Sequence, residues 1–186
     1  MFGSSHIDRF RQWMLTDNKS WFLQNHEIRL HGVSGGTLSS LFVNLVNIVT
    51  FQPDILFLQI GSNDIGHVHT NVVHVLFEFE YALQILMSLG IRKIFIGLVF
   101  YRERVASWRG LTLQQYNERV YELNAGLMEI GYRYQERVLF WRHRGFLCPN
   151  MDILLQDGVH LNSEGNKRLY YSLRGAFVYA EKWLLN

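Results

Sequence analysis

Side chains that could carry out nucleophilic chemistry lie near both ends of this sequence. Gly3-Ser4-Ser5-His6 precedes a helical pattern, and a serine at a helix start has its own amide facing an incoming anion. Activation of its hydroxyl requires a base. Asp157 and His160 lie just before the last helical pattern, at a spacing that lets a carboxylate orient an imidazole. These residue types predict a serine nucleophile with a histidine base, if the fold brings the two ends together.

A third block offers a hydrogen-bond donor for a developing negative charge. Gly61-Ser62-Asn63-Asp64 follows a nearly unbroken apolar run, and the side-chain amide of Asn63 can donate to an oxyanion. Taken alone, the block at residues 3–6 is also typical of a helix N-cap, and the block at 61–64 is typical of a turn. Asp157 and His160 alone could be a turn aspartate and a surface histidine. Their order, each at a predicted strand end or helix start, favours one shared site.

Short apolar runs alternate with helical stripes along the chain, which is typical of a parallel sheet covered by helices on both faces. Strands are predicted near 27–33, 54–60, 93–100 and 138–141, and hardly any strand precedes residue 3. Helices are predicted from Ser5 to residues 16–18 and at 38–48, 71–89, 112–135 and 163–185, with a loop at 101–110. We predict a single α/β domain over residues 1–186: a three-layer α/β/α sandwich with a central, mostly parallel five-stranded sheet. The loops after its strands would open on one edge.

The blocks resemble those of the SGNH (GDSL-like) hydrolase family, whose fold is flavodoxin-like, and the match runs from residue 3 to about residue 170. The resemblance implies that Ser5 is the nucleophile, that His160 is the general base and later the general acid, and that Asp157 orients it. It implies an oxyanion hole made of the Ser5 and Gly35 amides and the Asn63 side chain. It implies no metal and no organic cofactor.

The first block departs from the family pattern. Ser4 stands where the family has an aspartate, and the Ser-Ser-His form resembles a branch of these domains carried by some retrotransposon-encoded proteins of animals. From the resemblance we expect a serine esterase that hydrolyses carboxylic (acyl or acetyl) esters through an acyl-enzyme on Ser5. The alternative is a catalytically silent binding domain of a longer, retroelement-derived protein. The substrate would be a small-molecule, lipid or glycan ester, whose acyl group and alcohol the sequence leaves open.

Composition limits the other function classes. Hydrophobic residues make up 48% and charged residues 18% of the 186 residues, which excludes a disordered chain. The net charge of +2 is too small to imply nucleic-acid binding by this domain alone, although the segment 133–144 is locally basic; a solvated face is the favoured interpretation there. No apolar run is long enough to span a membrane and no secretory signal is visible, so a cytoplasmic location is favoured. The oligomeric state is left open.

Several other residues have two interpretations. The histidines at 67, 69 and 74 lack carboxylates at ligand spacing and are interpreted as surface side chains rather than a metal site. His6 could line the rim of the site or pack beneath it. Cys148 is interpreted as a small buried hydrophobe. Side chains that could grip an acyl or sugar group occur in the predicted loop over the active edge: Tyr101, Arg102, Arg104 and Trp108.

Overall fold

The computed structural model describes residues 1–21, 26–147 and 151–184. Its central sheet has five strands: β1 (Phe2–Gly3), β2 (His31–Gly32), β3 (Ile55–Gln59), β4 (Lys93–Gly97) and β5 (Val138–Trp141). All neighbouring strands pair in parallel, in the spatial order β2-β1-β3-β4-β5. This is the flavodoxin-like order, in which ligands bind at the carboxyl edge, where the strand order reverses between β1 and β3.

Helices connect the strands and cover both faces of the sheet. They are α1 (Ser5–Thr16), α2 (Leu38–Val43), α3 (Leu45–Phe51), α4 (Val72–Ser88), α5 (Leu113–Arg133) and α6 (Ser163–Leu184), with 3-10 turns at Ser107–Arg109 and Met151–Ile153. Residue 185, the predicted end of the last helix, lies outside the described residues. Within the described ranges, no helix combines the length and apolar character that crossing a bilayer requires.

Alternate residues of β3 face two separate apolar layers, as the two-residue repeat of a strand requires. Leu58 packs into the layer that contains Phe79 of α4 and other residues of α2, α4 and α5. Phe57 packs into the opposite layer with Phe10 of α1 and Leu169 of α6. Full burial of such a side chain stabilises the fold by roughly 1.5–3 kcal/mol. The predicted three-layer α/β/α sandwich with a five-stranded parallel sheet is confirmed.

The first strand is only two residues long, yet it lies in the middle of the sheet. Phe2 pairs with His31 on one side and with Leu58 on the other. Backbone bonds continue just beyond it, because the Ser4 N–H donates to the Gln59 carbonyl at 3.1 Å. The turn that leads into α1 is therefore held on the sheet although β1 is short.

The predicted helix at 38–48 is two helices that meet at Asn44. The Asn44 amide donates to the Ser40 carbonyl at 2.8 Å, and its Oδ1 is hydrogen-bonded to His31 Nε2 at 3.1 Å. An asparagine side chain that bonds to nearby backbone competes with the helix, so α2 ends there. The predicted strand at 27–33 shortens to β2, the two residues that pair with β1.

The predicted strand at 93–100 ends at Gly97 because side chains take over its backbone partners. The Asn124 amide of α5 accepts from the Val99 N–H at 2.8 Å and donates to the Val99 carbonyl at 2.9 Å. Gln59 Nε2 donates to the Leu98 carbonyl at 2.8 Å. The Leu98 N–H still donates to the Trp141 carbonyl of β5 at 3.0 Å, and beyond that bond the buried backbone is satisfied by these side chains rather than by a strand.

Candidate active site

The structure brings Ser5, His160 and Asp157 together at the carboxyl edge of the sheet. Ser5 Oγ lies 3.1 Å from His160 Nε2, and His160 Nδ1 lies 2.8 Å from Asp157 Oδ2. An ionised carboxylate only accepts hydrogen bonds, so Nδ1 carries the imidazole proton and Nε2 is left to accept the proton of the serine hydroxyl. The chain of bonds therefore runs in one direction, from hydroxyl to imidazole to carboxylate.

The loop before α6 fixes the carboxylate relative to the imidazole. Asp157 Oδ1 accepts from the Val159 and His160 N–H groups, each at 2.9 Å. Gly158 has φ +66°, a left-handed conformation that glycine adopts without steric cost, and its N–H donates to the Leu155 carbonyl. Leu155 N–H in turn donates to the His160 carbonyl at 2.7 Å. Aspartate, histidine and the two residues between them thus form a closed turn.

The same hydrogen bonds keep Asp157 ionised. Partial burial would by itself raise its pKa, but the bonds from the His160 N–H, the His160 ring and the Val159 N–H outweigh burial and lower the pKa of Asp157 to about 2. The carboxylate is therefore charged at any pH at which the protein would work.

Ser5 is the first residue of α1, and the side chain that follows it is buried behind the site. His6 is 5% exposed, and its ring lies 5.7 Å from the His160 ring and 5.2 Å from the Phe100 ring. Burial lowers the pKa of His6 to about 3, with the charges of His160 and Arg102 acting in the same direction. Of the two interpretations of His6, the structure favours packing beneath the site.

Gly35 and Asn63, the other two residues of the predicted oxyanion hole, lie on adjoining loops. Gly35 is exposed, with φ +66°, in the loop before α2. Asn63 Nδ2 donates at 3.1 Å to the carbonyl of Gly36, the residue that follows Gly35. A Cβ on Gly36 would come within 3.4 Å of Ser4 Cα, so this loop packs against the turn that precedes Ser5. The two loops and that turn are thus contiguous.

Asp64, next to Asn63, supports the loop before α2. Its Oδ1 accepts from the Leu38 N–H at 2.8 Å, at the amino end of α2, whereas its Oδ2 is buried without a partner among the described residues. Burial raises the pKa of Asp64 to about 6, although the Leu38 hydrogen bond opposes that shift. This carboxyl joins two loops of the site, and within the described residues it makes no hydrogen bond to the serine–histidine pair.

The loop at 101–110 differs in part from its sequence interpretation. Arg102 is only 5% exposed, and its side chain points inward to the Ser62 carbonyl and Asn63 Oδ1. The prediction that Arg102 contacts a substrate from the loop is therefore wrong. Arg104 is exposed and packs on Gly158, beside the aspartate–histidine turn. Trp108 is 70% exposed. A substrate contact thus stays a prediction for Tyr101, Arg104 and Trp108.

A buried polar network that sequence reasoning missed lies beneath the sheet edge. His143, which the sequence placed in a basic surface stretch, has no exposed area, and burial lowers its pKa to about 3. Gln59 Nε2 donates to the Leu98 carbonyl, so Gln59 Oε1 is an acceptor and His143 Nε2 donates to it at 2.9 Å. The other nitrogen of the neutral ring, Nδ1, then accepts from the Ser172 hydroxyl at 2.9 Å, and Ser172 Oγ accepts from Trp141 Nε1. The only sequence signal was the position of His143 two residues after the predicted strand at 138–141. The favoured interpretation of a solvated face holds for Arg133, Arg142 and Arg144, which are exposed. It does not hold for Arg137, which is partly buried and donates to the Met87 and Ile91 carbonyls.

Candidate metal ligands are sparse. The rings of His67 and His69 lie 5.6 Å apart and are exposed, as is His74. No group of three or more His, Cys, Asp or Glu side chains in the described part of the chain is arranged to hold a metal ion. Cys148 lies outside the described residues.

Comparison with known proteins places the fold. No family model matches the chain, and no curated protein matches it in sequence. A Bacteroides fragilis protein provisionally described as an acylhydrolase aligns with a TM-score of 0.78 and 16% identity, over 96% of this chain and 85% of that one. A GDSL-like lipase from Bacteroides thetaiotaomicron aligns with a TM-score of 0.75 and 15% identity, over 96% and 86%. A carbohydrate esterase family 3 protein from Talaromyces cellulolyticus aligns with a TM-score of 0.68 and 17% identity, over 98% and 97%. The chain therefore has the fold of the SGNH (GDSL-like) hydrolases.

Proposed function

We propose that this protein is a serine esterase that hydrolyses carboxylic esters through an acyl-enzyme on Ser5. The observation that carries the proposal is the run of hydrogen bonds from Ser5 Oγ to His160 Nε2, at 3.1 Å, and from His160 Nδ1 to Asp157, at 2.8 Å. Hydroxyl, imidazole and carboxylate in this order form the constellation that activates a serine on many unrelated folds. Here it is assembled from residues at opposite ends of the chain.

Acylation follows from that geometry. Ser5 Oγ attacks the ester carbonyl carbon while its proton passes to His160 Nε2, and Asp157 stabilises the imidazolium that results. The carbonyl oxygen becomes an oxyanion, which accepts hydrogen bonds from the Ser5 and Gly35 N–H groups and from Asn63 Nδ2. The tetrahedral intermediate then collapses: the carbon–oxygen bond to the alcohol breaks, and His160 returns its proton to the leaving alkoxide.

Deacylation repeats the steps with water. Water attacks the acyl carbon, His160 accepts its proton, and the bond to Ser5 Oγ breaks as the proton returns to Ser5. The products are the alcohol and a carboxylic acid, and the enzyme returns to its starting state. Every proton transfer in the cycle uses the same imidazole, so no metal or organic cofactor is required.

The substrate class is an acyl or acetyl ester of a small molecule, a lipid or a glycan. Support comes from the fold neighbours, which include a lipase and a carbohydrate esterase, and from an exposed rim in which Arg104 packs beside the aspartate–histidine turn. A guanidinium at the rim would suit a polar or anionic alcohol.

Hydrolysis of p-nitrophenyl acetate by the purified chain tests the proposal. We expect Ser5→Ala to lower kcat/KM by about 10³-fold or more. Ser4→Ala is the matched control, since Ser4 is the adjacent serine and its side chain makes no capping hydrogen bond to α1; its kcat/KM should stay within about fivefold of the wild type. Near-normal hydrolysis by Ser5→Ala would refute the proposal.

A fluorophosphonate probe separates the esterase from a catalytically silent binding domain. Such a probe reacts covalently with a serine whose base is in place. We expect labelling of Ser5, located by mass spectrometry of the digested protein, and loss of labelling in Ser5→Ala and His160→Ala. A wild-type chain that is folded but stays unlabelled would favour the binding-domain alternative.

A further inference from the structure

The segment that contains Asn63 is held by three arginines. After β3, several carbonyls between residues 62 and 68 accept hydrogen bonds from guanidinium groups of the loop after β4 and of α5. Arg109 donates to the Gly66 carbonyl at 3.0 Å, and Arg119 donates to the His67 carbonyl at 2.6 Å and the Val68 carbonyl at 3.0 Å. The third, Arg102, is the one that also contacts the Asn63 side chain.

Arg102 is anchored at both ends. Its backbone N–H donates to Asn117 Oδ1 at 3.1 Å, and its carbonyl accepts from Asn117 Nδ2 at 2.9 Å. Its guanidinium lies over the Tyr116 ring, 4.5 Å from the centroid, and the Tyr116 hydroxyl donates to the same Ser62 carbonyl that Arg102 binds. These contacts fix the side chain beneath the 61–68 segment.

The contact between Arg102 and Asn63 decides which way the amide faces. Arg102 Nη2 donates to Asn63 Oδ1 at 3.2 Å. A guanidinium has only donors, so a flipped amide would place N–H groups against N–H groups, and only the orientation with Oδ1 toward Arg102 is satisfied. The Asn63 Nδ2 must then lie on the other side, where it donates to the Gly36 carbonyl.

We infer that Arg102 is a positioning residue for the oxyanion donor, an inference that rests on the esterase function proposed above. Arg102 turns Asn63 Nδ2 toward the site, and its own buried positive charge lies behind the amide. Nδ2 carries two N–H groups, and Gly36 uses one. The described contacts of the Arg102 guanidinium are to carbonyl and amide oxygens and an aromatic ring, none to a carboxylate. A charge buried without a counter-ion favours negative charge developing nearby.

A double-mutant cycle on the full chain tests this role. Arg102→Met keeps much of the aliphatic length and removes every donor. We expect kcat for p-nitrophenyl acetate to fall by about 10- to 100-fold, with KM within about threefold of the wild type, because the donor acts on the transition state. In the Asn63→Ala background, the same Arg102→Met change should lower kcat by less than about threefold, since the amide that Arg102 positions is gone.

Arg109→Met is the matched control. Arg109 holds the same segment through the Gly66 carbonyl, and among the described contacts of its side chain there is no hydrogen bond to Asn63. We expect it to lower the melting temperature while kcat stays within about threefold of the wild type. Additive effects of Arg102→Met and Asn63→Ala, or an equal loss of kcat in Arg109→Met, would overturn the inference in favour of general loosening.

Two further measurements keep the inference testable if a variant does not fold or the chain proves inactive. Arg102→Lys retains the charge but loses the planar fork, and the same cycle with Asn63→Ala applies to it. Nuclear magnetic resonance of the Asn63 side-chain amide, assigned by its loss in Asn63→Ala, needs no substrate. We expect Arg102→Met to speed rotation of that NH2 group by about tenfold or more, since a hydrogen bond to a charged donor restrains it. An unchanged rotation rate would refute positioning, whereas hydrolysis that does not depend on Ser5 would refute only the esterase function.

Discussion

Replacement of Asp157 by asparagine tests the direction of the hydrogen bonds at the site. Asp157 accepts three hydrogen bonds: one from the His160 ring and two from the backbone N–H groups of Val159 and His160. An asparagine can keep the two backbone bonds through its oxygen, but its NH2 then faces His160 Nδ1. Nδ1 must become an acceptor, the proton moves to Nε2, and Nε2 can no longer take the proton from Ser5.

The expected loss of activity follows from the hydrogen bonds that the Asp157→Asn variant must break before it can react. If the amide flips so that its oxygen faces Nδ1, the two backbone N–H groups lose their acceptor, at roughly 2 kcal/mol each. The total of about 4 kcal/mol corresponds to about 10³-fold in rate, and the missing carboxylate charge beside the imidazolium adds up to another tenfold. We therefore expect Asp157→Asn to lower kcat/KM by about 10³- to 10⁴-fold.

The assay is p-nitrophenyl acetate hydrolysis at pH 7, with folding checked by circular dichroism. Asp8→Asn is the control, since it removes one carboxylate charge on α1 that pairs with Arg11, outside the hydrogen bonds of the site. It should change kcat/KM by less than about twofold. If Asp157→Asn stayed within tenfold of the wild type, His160 would not be oriented as described, and the proposed relay would be wrong.

Two further predictions concern stability. Burial lowers the pKa of both His6 and His143 to about 3, so below pH 6.5 the unfolded chain binds protons that the folded chain does not. Each histidine should therefore lower the free energy of unfolding as the pH falls below 6.5, with a slope that approaches roughly 1.4 kcal/mol per pH unit near pH 5, and urea titrations of His143→Phe should show a weaker pH dependence than the wild type. A pH-independent wild type would contradict these shifts. A Cβ on Gly3 would approach the Gln59 carbonyl oxygen to 2.6 Å, so Gly3→Ala should lower the free energy of unfolding by about 2 kcal/mol or more and also lower the rate of hydrolysis. The control is Gly175→Ala, whose Cβ meets nothing closer than 3.7 Å and which should be neutral or stabilising.

Local patterns account for the elements and the layers. The apolar run at 54–60 is buried on both faces because Leu58 and Phe57 serve opposite layers, and such a run is typical of a central parallel strand. Helical stripes account for α4, α5 and α6, whose observed ends lie within about two residues of the predicted ones, the usual uncertainty of helix ends. The errors fall where a side chain takes over backbone hydrogen bonds, as Asn44 does locally at the end of α2 and Asn124 does from 25 residues along the chain after β4.

The sequence by itself determined which chemical groups are available and that parallel strands would present their loops on one edge, since residue types and apolar periodicity are local properties. Only the tertiary structure decided how those groups meet. The 3.1 Å contact between Ser5 and His160, the burial of His143 and the inward turn of Arg102 each depend on residues far apart in the chain. Distances of this kind are set by packing of one element on another, and no periodicity within a single element encodes them.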